Sequence, residues 1–402
     1  MNTPVTFIIF NRPDTTAKVF EAIREAKPSK LFVIADGPRA DKPGEAEKCA
    51  ATRAIIEQVD WKCEVIKNYS DVNLGCGIRP ATGITWVFEQ VEEAIFLEDD
   101  CLPHPSFFTF CEQMLNRYKD DERIMMISGT NFLEEWKFNI QDYHFSYYGG
   151  IWGWASWKRA WKYYDHEIKL WGRKEIRDRI CDVLSSDKQF KARAKIFWIT
   201  YQNSSCLNAW NYQWSFARLA QSGLSVVPAR NLISNIGFGE NSTHTKSKNS
   251  KIAELKLLDL KYPIKMNDFT AVDRNYDRKF FKKVIENNLL AKLKKNLIFF
   301  NYFIFTIKGS CMKMISILDT SICSSNLGDR IIMDAITNVM EDIFDNILTI
   351  HIQTHDVISK TSYQYMRGSE LKLLGGTNLL SSNMNWYNQW KVSLWDSMFV
   401  KI

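Results

Sequence analysis

The sequence predicts an α/β protein whose N-terminal part forms a doubly wound, mixed but mostly parallel sheet. Apolar strand patterns alternate with helical patterns between residues 1 and 130, and repeated strand–helix–strand units of this kind build parallel sheets. Polar residues follow several predicted strands, at Asn11-Arg12, Asp36 and Glu98-Asp99-Asp100. Ligands bind beyond the carboxyl ends of the strands in such sheets, so these positions are candidate site residues.

Five strands and four helices are predicted in this part, each from its apolar periodicity and its bounding turn residues. The strands are Val5–Phe10, Leu31–Ala35, Cys63–Ile66, Ala94–Leu97 and Ile124–Ile127. The helices are Thr15–Ala26, Glu45–Gln58, Pro80–Val91 and Phe107–Tyr118. Before the third helix, Asn73-Leu74-Gly75-Cys76-Gly77 is predicted to be a loop whose glycines let the backbone approach a ligand closely.

The remainder of the chain divides by composition into three parts. The first domain is predicted to span residues 1–245, ending in an aromatic, less regular stretch. A lysine-rich extension follows at 246–313, and a partial second α/β unit at 314–402, with strands at Met314–Leu318, Ile347–Ile352 and Leu371–Leu374 and a helix at Ile331–Val339. Within the extension, residues 278–313 contain nine Lys or Arg and one acidic residue, so this segment is either a basic helix on an anionic membrane surface or a core helix between domains.

Composition excludes some classes of protein and favours others. The net charge of +6 is modest and no basic helix carries interleaved base-reading residues, so nucleic acid is not an expected partner. The nine cysteines include no C-x-x-C pair, which argues against a disulfide framework and a zinc site and favours a reducing, cytoplasmic location. We expect no signal peptide at the N-terminus, and no apolar run approaches the ~20 residues that span a bilayer.

The acidic run Glu98-Asp99-Asp100 follows an apolar strand, where three carboxylates repel one another. A divalent cation such as Mg²⁺ or Mn²⁺ would offset this charge, and these ions commonly bridge one or two carboxylates and a substrate diphosphate. The alternative is a solvated loop that caps the next helix. The neighbouring residues favour a metal site. Arg12 could contact a diphosphate, and Asp36 could accept a hydrogen bond from a nucleobase imide. Together with Arg79, they are jointly placed at strand ends.

An ordered series of motifs resembles the GT-A nucleotide-diphospho-sugar glycosyltransferases, in particular bacterial proteins related to family 2 and to the N-acetylglucosaminyltransferase I type. The series spans roughly residues 3 to 290. It comprises Phe10-Asn11-Arg12-Pro13, Ala35-Asp36-Gly37, Asn73-Leu74-Gly75, Leu97-Glu98-Asp99-Asp100, Trp152-Gly153-Trp154-Ala155, Trp210-Asn211-Tyr212-Gln213-Trp214 and Asn235-Ile236-Gly237-Phe238-Gly239.

The resemblance implies roles for individual residues. The acidic run would be the DxD-type motif, with Asp100 the direct ligand of Mn²⁺ or Mg²⁺ and His244 a late metal ligand. The nucleotide would be held by Asn11, Arg12, Asp36, Arg79, Glu98 and Asp99, with Asp99 also taking part in catalysis. The tryptophans would form sugar-stacking walls, although at least half of them are expected to be core residues.

The implied activity is transfer of a sugar from a nucleotide-diphosphate donor to a glycan or lipid-linked acceptor, in surface polysaccharide assembly on the inner face of the membrane.

One departure from the family pattern concerns the acceptor side. Trp210 is followed by Asn211 where inverting members would carry an acidic general base, and an asparagine takes no proton at neutral pH. Asp165 or Glu240 is a possible substitute. The alternatives are a catalytically weakened protein that binds nucleotide-sugar or glycan, and a membrane-active protein built around residues 278–313.

The C-terminal part has a resemblance of its own. Ser325-Asn326-Leu327-Gly328-Asp329 and Gly375-Gly376-Thr377-Asn378-Leu379-Leu380 resemble the opening of polysaccharide pyruvyl transferase-type proteins. About 90 residues are similar, well short of the two-domain body of that family. The resemblance implies that this part does not catalyse by itself.

Overall fold

The computed structural model describes residues 1–202, 204, 209–237 and 255–286, and the backbone of three strands between residues 313 and 374. The chain forms two compact units, Met1–Leu293 and Lys294–Ile402. The domain boundaries predicted at residues 245 and 313 stay predictions.

Ten strands are described in the first unit. They are β1 Val5–Ile9, β2 Lys30–Ala35, β3 Glu64–Tyr69, β4 Glu93–Glu98, β5 Cys101–Pro103, β6 Ile124–Ser128, β7 Tyr143–Ser146, β8 Trp154–Trp157, β9 Leu224–Pro228 and β10 Ile233–Asn235. The helices are α1 Pro13–Ala26, α2 Glu45–Ile55, α3 Gly75–Phe88, α4 Ser106–Tyr118, α5 Lys158–Trp161, α6 Lys174–Leu184, α7 Asp187–Gln202, α8 Asn211–Ala220 and α9 Arg274–Phe280. Short 3₁₀ segments lie at Ile56–Gln58 and Lys169–Gly172, and a π-helical turn spans Phe281–Glu286.

Eight strands form one mixed sheet in the order β3-β2-β1-β4-β8-β6-β9-β7. Neighbouring strands are parallel, except that β8 is antiparallel to β4 and β6, and β7 is antiparallel to β9. The chain winds outward from β1 to β3 and then returns to place β4 on the other side of β1, so the winding direction reverses between β1 and β4. The predicted doubly wound α/β class is confirmed.

Both faces of the sheet are covered, which explains why its central strands β1, β4 and β6 are mostly apolar rather than alternating. Helices α1 and α4 pack on one face, through residues such as Phe20, Ile23 and Phe107. Helices α3 and α8 cover the other face, where Ile84, Val87 and Trp214 are fully buried. Six tryptophans are core residues rather than open stacking surfaces: Trp154, Trp157, Trp161, Trp171, Trp210 and Trp214.

The start of α3 differs from the prediction. The sequence places the helix start at Pro80, because proline is favoured in the first turn, whereas the helix begins at Gly75 and carries Pro80 inside it. The reason is a contact from β2: the Asp36 carboxylate accepts hydrogen bonds from the backbone N–H groups of Leu74 and Gly75 and so supplies the cap from a distant strand. The predicted ligand loop therefore becomes the capped entrance of α3.

A small antiparallel sheet lies beside the edge where β4 ends. Strand β5 follows the acidic run directly and pairs with β10, with Asn235 opposite Cys101. The backbone N–H of Ile236 continues this contact by donating to the Asp100 carbonyl at 2.8 Å. This pairing brings two parts of the chain that are far apart in sequence to the acidic run.

Residues 255–286 pack against the rest of the first unit. Phe280 and Phe281, at the start of the basic segment 278–313, are buried in an apolar cluster with Tyr276. Residues 287–312 of that segment lie outside the described residues. Among the residues that the structure describes, no helix is both long and apolar enough to cross a membrane.

The second unit contains three parallel strands, β11 Lys313–Asp319, β12 Ile347–Gln353 and β13 Leu371–Leu374, with β11 in the middle. The three strands predicted for this part are confirmed. The helix predicted at Ile331–Val339 lies outside the described residues, and the resemblance to pyruvyl transferase-type proteins stays a prediction.

Candidate active site

The acidic run lies at the point where the sheet reverses its winding. Glu98 ends β4, and Asp99 and Asp100 follow it. The adjacent strand β1 ends at Ile9, so Asn11 and Arg12 emerge at the same edge. A crevice forms at such a switch point because the loops on its two sides lead away in opposite directions. The fold therefore places the charged residues of both strands where ligands of doubly wound proteins bind.

Arg12 is the counter-ion of this run. Its Nη2 donates to Oδ1 of Asp99, and its Nη1 donates to Oδ2 of Asp100 at 2.9 Å. Asp99 also accepts from the backbone N–H of Phe10 at 3.2 Å. Glu98 receives a hydrogen bond from the indole N–H of Trp210 rather than a cation. Three carboxylates thus face one guanidinium.

The excess of carboxylates over cations is reflected in the pKa values of Glu98, Asp99 and Arg12. Burial, together with the charges of Asp100 and Asp99, raises the pKa of Glu98 above its ordinary value. Burial also raises the pKa of Asp99, against the opposing charge of Arg12. Burial lowers the pKa of Arg12, but the two aspartates outweigh this and raise it overall. The site holds more negative charge than its own residues neutralise, and a bound cation would reverse the shifts of the carboxyls.

The ligand set suits a hard divalent cation. One carboxylate oxygen each from Glu98 and Asp100 and the Cys101 sulfur lie within 4.8 Å of one another. Carboxylate oxygens suit Mg²⁺ and Mn²⁺. Burial raises the pKa of the Cys101 thiol well above its usual value, so the sulfur stays protonated and is a poor ligand. Glu98 and Asp100 are therefore the residues that would hold a metal, with open positions left for a substrate.

Gly237 forms the wall next to this pair. A Cβ atom at this position would fall 2.3 Å from Oδ2 of Asp100 and 2.6 Å from Nη1 of Arg12. The Gly237 N–H donates to the Asn235 side chain at 2.9 Å, which holds the backbone in place. Sequence reasoning noticed this Asn-Ile-Gly motif but did not assign it to the site.

Asn211 lies at the first turn of α8 and is half-buried. The preceding residue, Trp210, is buried and stacks on Trp154 while its N–H contacts Glu98. The start of α8 is therefore linked to the acidic run through Trp210, a connection that the sequence did not reveal.

Asp36 has a structural task at the next strand end. Its Oδ1 accepts from the N–H groups of Gly37 and Leu74 at 3.0 and 2.9 Å. Its Oδ2 accepts from the Gly75 N–H at 2.9 Å and from the Asn73 amide at 3.1 Å. Four bonds occupy the acceptor capacity of one carboxylate. In this arrangement Asp36 holds the entrance of α3 in place. Recognition of a nucleobase by Asp36 stays a prediction.

Arg79 is likewise committed to the protein. Its Nε donates to the Ala35 carbonyl at 3.0 Å, and its Nη2 donates to the carbonyl and side-chain oxygens of Asn68. The side chain is buried, and burial lowers its pKa. Arg79 therefore ties the ends of β2 and β3 together, and its predicted nucleotide contact stays a prediction.

Asn11 belongs to a network that sequence reasoning missed. Its Nδ2 donates to the buried carboxylate of Glu45 at 2.9 Å, and Glu45 also forms an ion pair with Arg39. The hydrogen bonds of Arg39 lower the pKa of Glu45. Arg39 remains 43% exposed and lies over the Phe10 ring at 5.8 Å. Asn11 thus supports, through Glu45, a partly exposed arginine in the loop after β2. The available sequence signal was Arg39 itself, a charged loop residue just after β2.

Of three other candidates, the structure describes only Asp165. His244, predicted as a late metal ligand, and Glu240, a possible base, lie outside the described residues. Asp165 accepts from the N–H groups of Glu167 and Lys169 at 3.0 and 2.8 Å and so caps a surface turn.

Comparison with known proteins gives structural neighbours only. No protein-family model matches the chain, and no curated protein matches it. The neighbours are glycosyltransferases and nucleotidyltransferases.

Three of them illustrate the range. The galactosyltransferase LgtC with donor and acceptor sugar analogues is 12% identical over 40% of this chain and 60% of that one, with a TM-score of 0.25. UDP-glucose pyrophosphorylase with UDP-glucose is 14% identical over 36% and 63%, with a TM-score of 0.21. Mouse xyloside xylosyltransferase 1 is 8% identical over 55% and 82%, with a TM-score of 0.26. The chain thus spans less than two thirds of the first two, and TM-scores below 0.5 do not establish a shared activity.

Proposed function

We propose that this chain is a metal-assisted glycosyltransferase that uses a nucleotide-diphosphate sugar donor. The observation that carries the proposal is the pairing of Arg12 with Asp99 and Asp100, next to Glu98, at the switch point between β1 and β4. A donor diphosphate needs positive charge as it departs, and this crevice combines an arginine with carboxylates that suit a divalent cation. The ordered motif series of the GT-A type supports the same reading.

The contacts of each residue support a separate role in the proposed reaction. Glu98 and Asp100 would hold Mn²⁺ or Mg²⁺, which when bound neutralises charge on the leaving diphosphate. Arg12 and Asp99 orient the carboxylates and keep a guanidinium at the crevice. Arg39, which pairs with Glu45 and is partly exposed in the loop after β2, would be a second cation for the donor. The finer assignments remain part of the proposal: a hexosyl or N-acetylhexosaminyl donor, a glycan or lipid-linked acceptor, and a role in surface polysaccharide assembly.

The test is release of nucleoside diphosphate from a panel of nucleotide-diphosphate sugars, measured with the full chain and Mn²⁺ in the presence of candidate acceptors. We expect turnover with at least one donor and its loss when the metal is chelated. Saturable nucleotide binding without turnover would instead support the second candidate, a protein that binds nucleotide-sugar without transferring it.

Asn211 is the observation that favours this second candidate, because an amide at the start of α8 cannot accept a proton from an acceptor hydroxyl. If the site is otherwise intact, Asn211→Asp should raise turnover about tenfold or more, since a positioned general base contributes strongly. An aspartate also suits a helix N-terminus, so α8 should be retained. Asn211→Ala is the control and should give no gain; equal rates for both variants would remove the missing base as an explanation.

A further inference from the structure

The contacts of Arg12 indicate how binding of the metal and binding of the donor are coupled. We propose that Arg12 competes with the divalent cation for Asp100, so that the metal and the donor diphosphate bind cooperatively. The inference rests on the proposed function and concerns regulation of the same site. It departs from the usual role of a neighbouring side chain, which orients a metal ligand and strengthens metal binding.

Arg12 is more exposed than the carboxylates with which it pairs. Its side chain is 23% exposed, whereas those of Asp99 and Asp100 are 4% and 12% exposed. The positive charge of Arg12, which pairs directly with Asp100, therefore repels a cation that approaches this carboxylate. Since arginine stays protonated under all ordinary conditions, deprotonation does not remove this barrier.

Gly237 closes the space beside the contact between Asp100 and Arg12. Gly237 lies so near Oδ2 of Asp100 that no Cβ fits between them. A metal that binds Oδ2 shares this oxygen with Nη1 of Arg12, which donates to it at 2.9 Å, and repels the guanidinium at short range. A metal that uses Oδ1, next to the Cys101 thiol at 3.4 Å, shares one carboxylate with the guanidinium and repels it at short range. Both routes weaken the contact between Arg12 and Asp100.

Arg12 has a second anchor that is kept when this contact weakens. Its Nη2 pairs with Asp99, which the Phe10 N–H also holds. The released Nη1 is then free to bind an anion, and guanidinium groups bind phosphate oxygens well. A diphosphate thus stabilises the arrangement that the metal needs, and by linkage the metal raises affinity for the diphosphate by the same factor.

The experiment measures Mn²⁺ affinity of the full chain without nucleotide, from the electron paramagnetic resonance signal of free Mn²⁺. Arg12→Lys keeps a cation for Asp99 but loses the fork that reaches both aspartates. Competition predicts that Arg12→Lys binds Mn²⁺ tighter than wild type, by about fivefold if the coupling is typical. Arg24→Lys, a matched change on the exposed side of α1, should leave the affinity unchanged.

Equal or weaker Mn²⁺ binding by Arg12→Lys overturns the inference; an orienting role would predict binding about 10- to 100-fold weaker. Arg12→Gln, which is neutral, is the second variant if the lysine does not fold, and it should also bind tighter. If Mn²⁺ binds to wild type but not more tightly to either variant, only this inference fails. If it binds to none of these proteins, the proposed metal-assisted function fails with it.

Discussion

Two corners of the same sheet edge carry charged residues, yet they differ in how those charges are used. At the switch-point corner, Glu98, Asp99 and Asp100 face the single guanidinium of Arg12. At the β2–β3 corner, Asp36 accepts four hydrogen bonds and Arg79 donates to carbonyl and side-chain oxygens of the protein. Position at a strand end is shared by both corners, so the distinguishing feature is whether the protein itself balances the charge.

The largest effect is expected from Asp36→Ala. The change leaves the backbone N–H groups at the entrance of α3 without their acceptor, and we expect the free energy of unfolding to fall by about 4 kcal/mol. Urea denaturation measures this. Asp41→Ala, at a side chain that is 74% exposed, is the control and should change stability by less than about 0.5 kcal/mol. If Asp36→Ala unfolded at the same urea concentration as wild type, the hydrogen bonds of Asp36 would not be needed to stabilise the fold.

At the other corner, Asp100→Asn should act on function instead. We expect metal-dependent turnover to fall about 100-fold, because a ligand to the charge-stabilising cation is lost. Stability should change little, since the substitution also relieves repulsion within the acidic run. Asp178→Asn, on the exposed face of α6, provides the comparison. Full turnover by Asp100→Asn would place the chemistry elsewhere.

Gly237→Ala tests whether the wall of the switch-point corner matters. The added Cβ would collide with Oδ2 of Asp100 and Nη1 of Arg12, and forced shifts in a packed site cost about 2 kcal/mol. Mn²⁺ affinity and thermal unfolding should therefore both change. At Gly172 the added Cβ meets only the hydroxyl end of Tyr201, so Gly172→Ala should change neither; similar behaviour of the two variants would contradict the assignment.

The smallest effect is expected from Arg79→Lys. A lysine cannot reproduce the planar fork that joins Ala35 to Asn68, so we expect stability to fall by about 1 kcal/mol in urea denaturation. Nucleotide affinity, measured by calorimetry, should stay within twofold if Arg79 only supports the sheet. A loss of affinity without a loss of stability would instead restore the predicted nucleotide contact.

Sequence reasoning was most successful where the signal is local. The strand and helix patterns of residues 1–130 are seen with small shifts at their ends, because the period of apolar residues reflects which face of an element is buried. It was less successful at α3, whose cap comes from Asp36 on another strand. The predicted nucleotide contacts of Asp36 and Arg79 stay predictions, and the sequence did not reveal how many partners within the protein these side chains already have.

The sequence by itself determined the alternation of strands and helices, the polar residues at the strand ends and the acidic run after β4. Only the tertiary structure decided which of these residues meet. Arg12 reaches Asp99 across 87 residues because β1 and β4 are neighbours at the switch point, and Gly237 reaches Asp100 because β10 pairs with β5. Periodicity is a property of a short segment, whereas charge balance depends on strand order, which brings distant segments together.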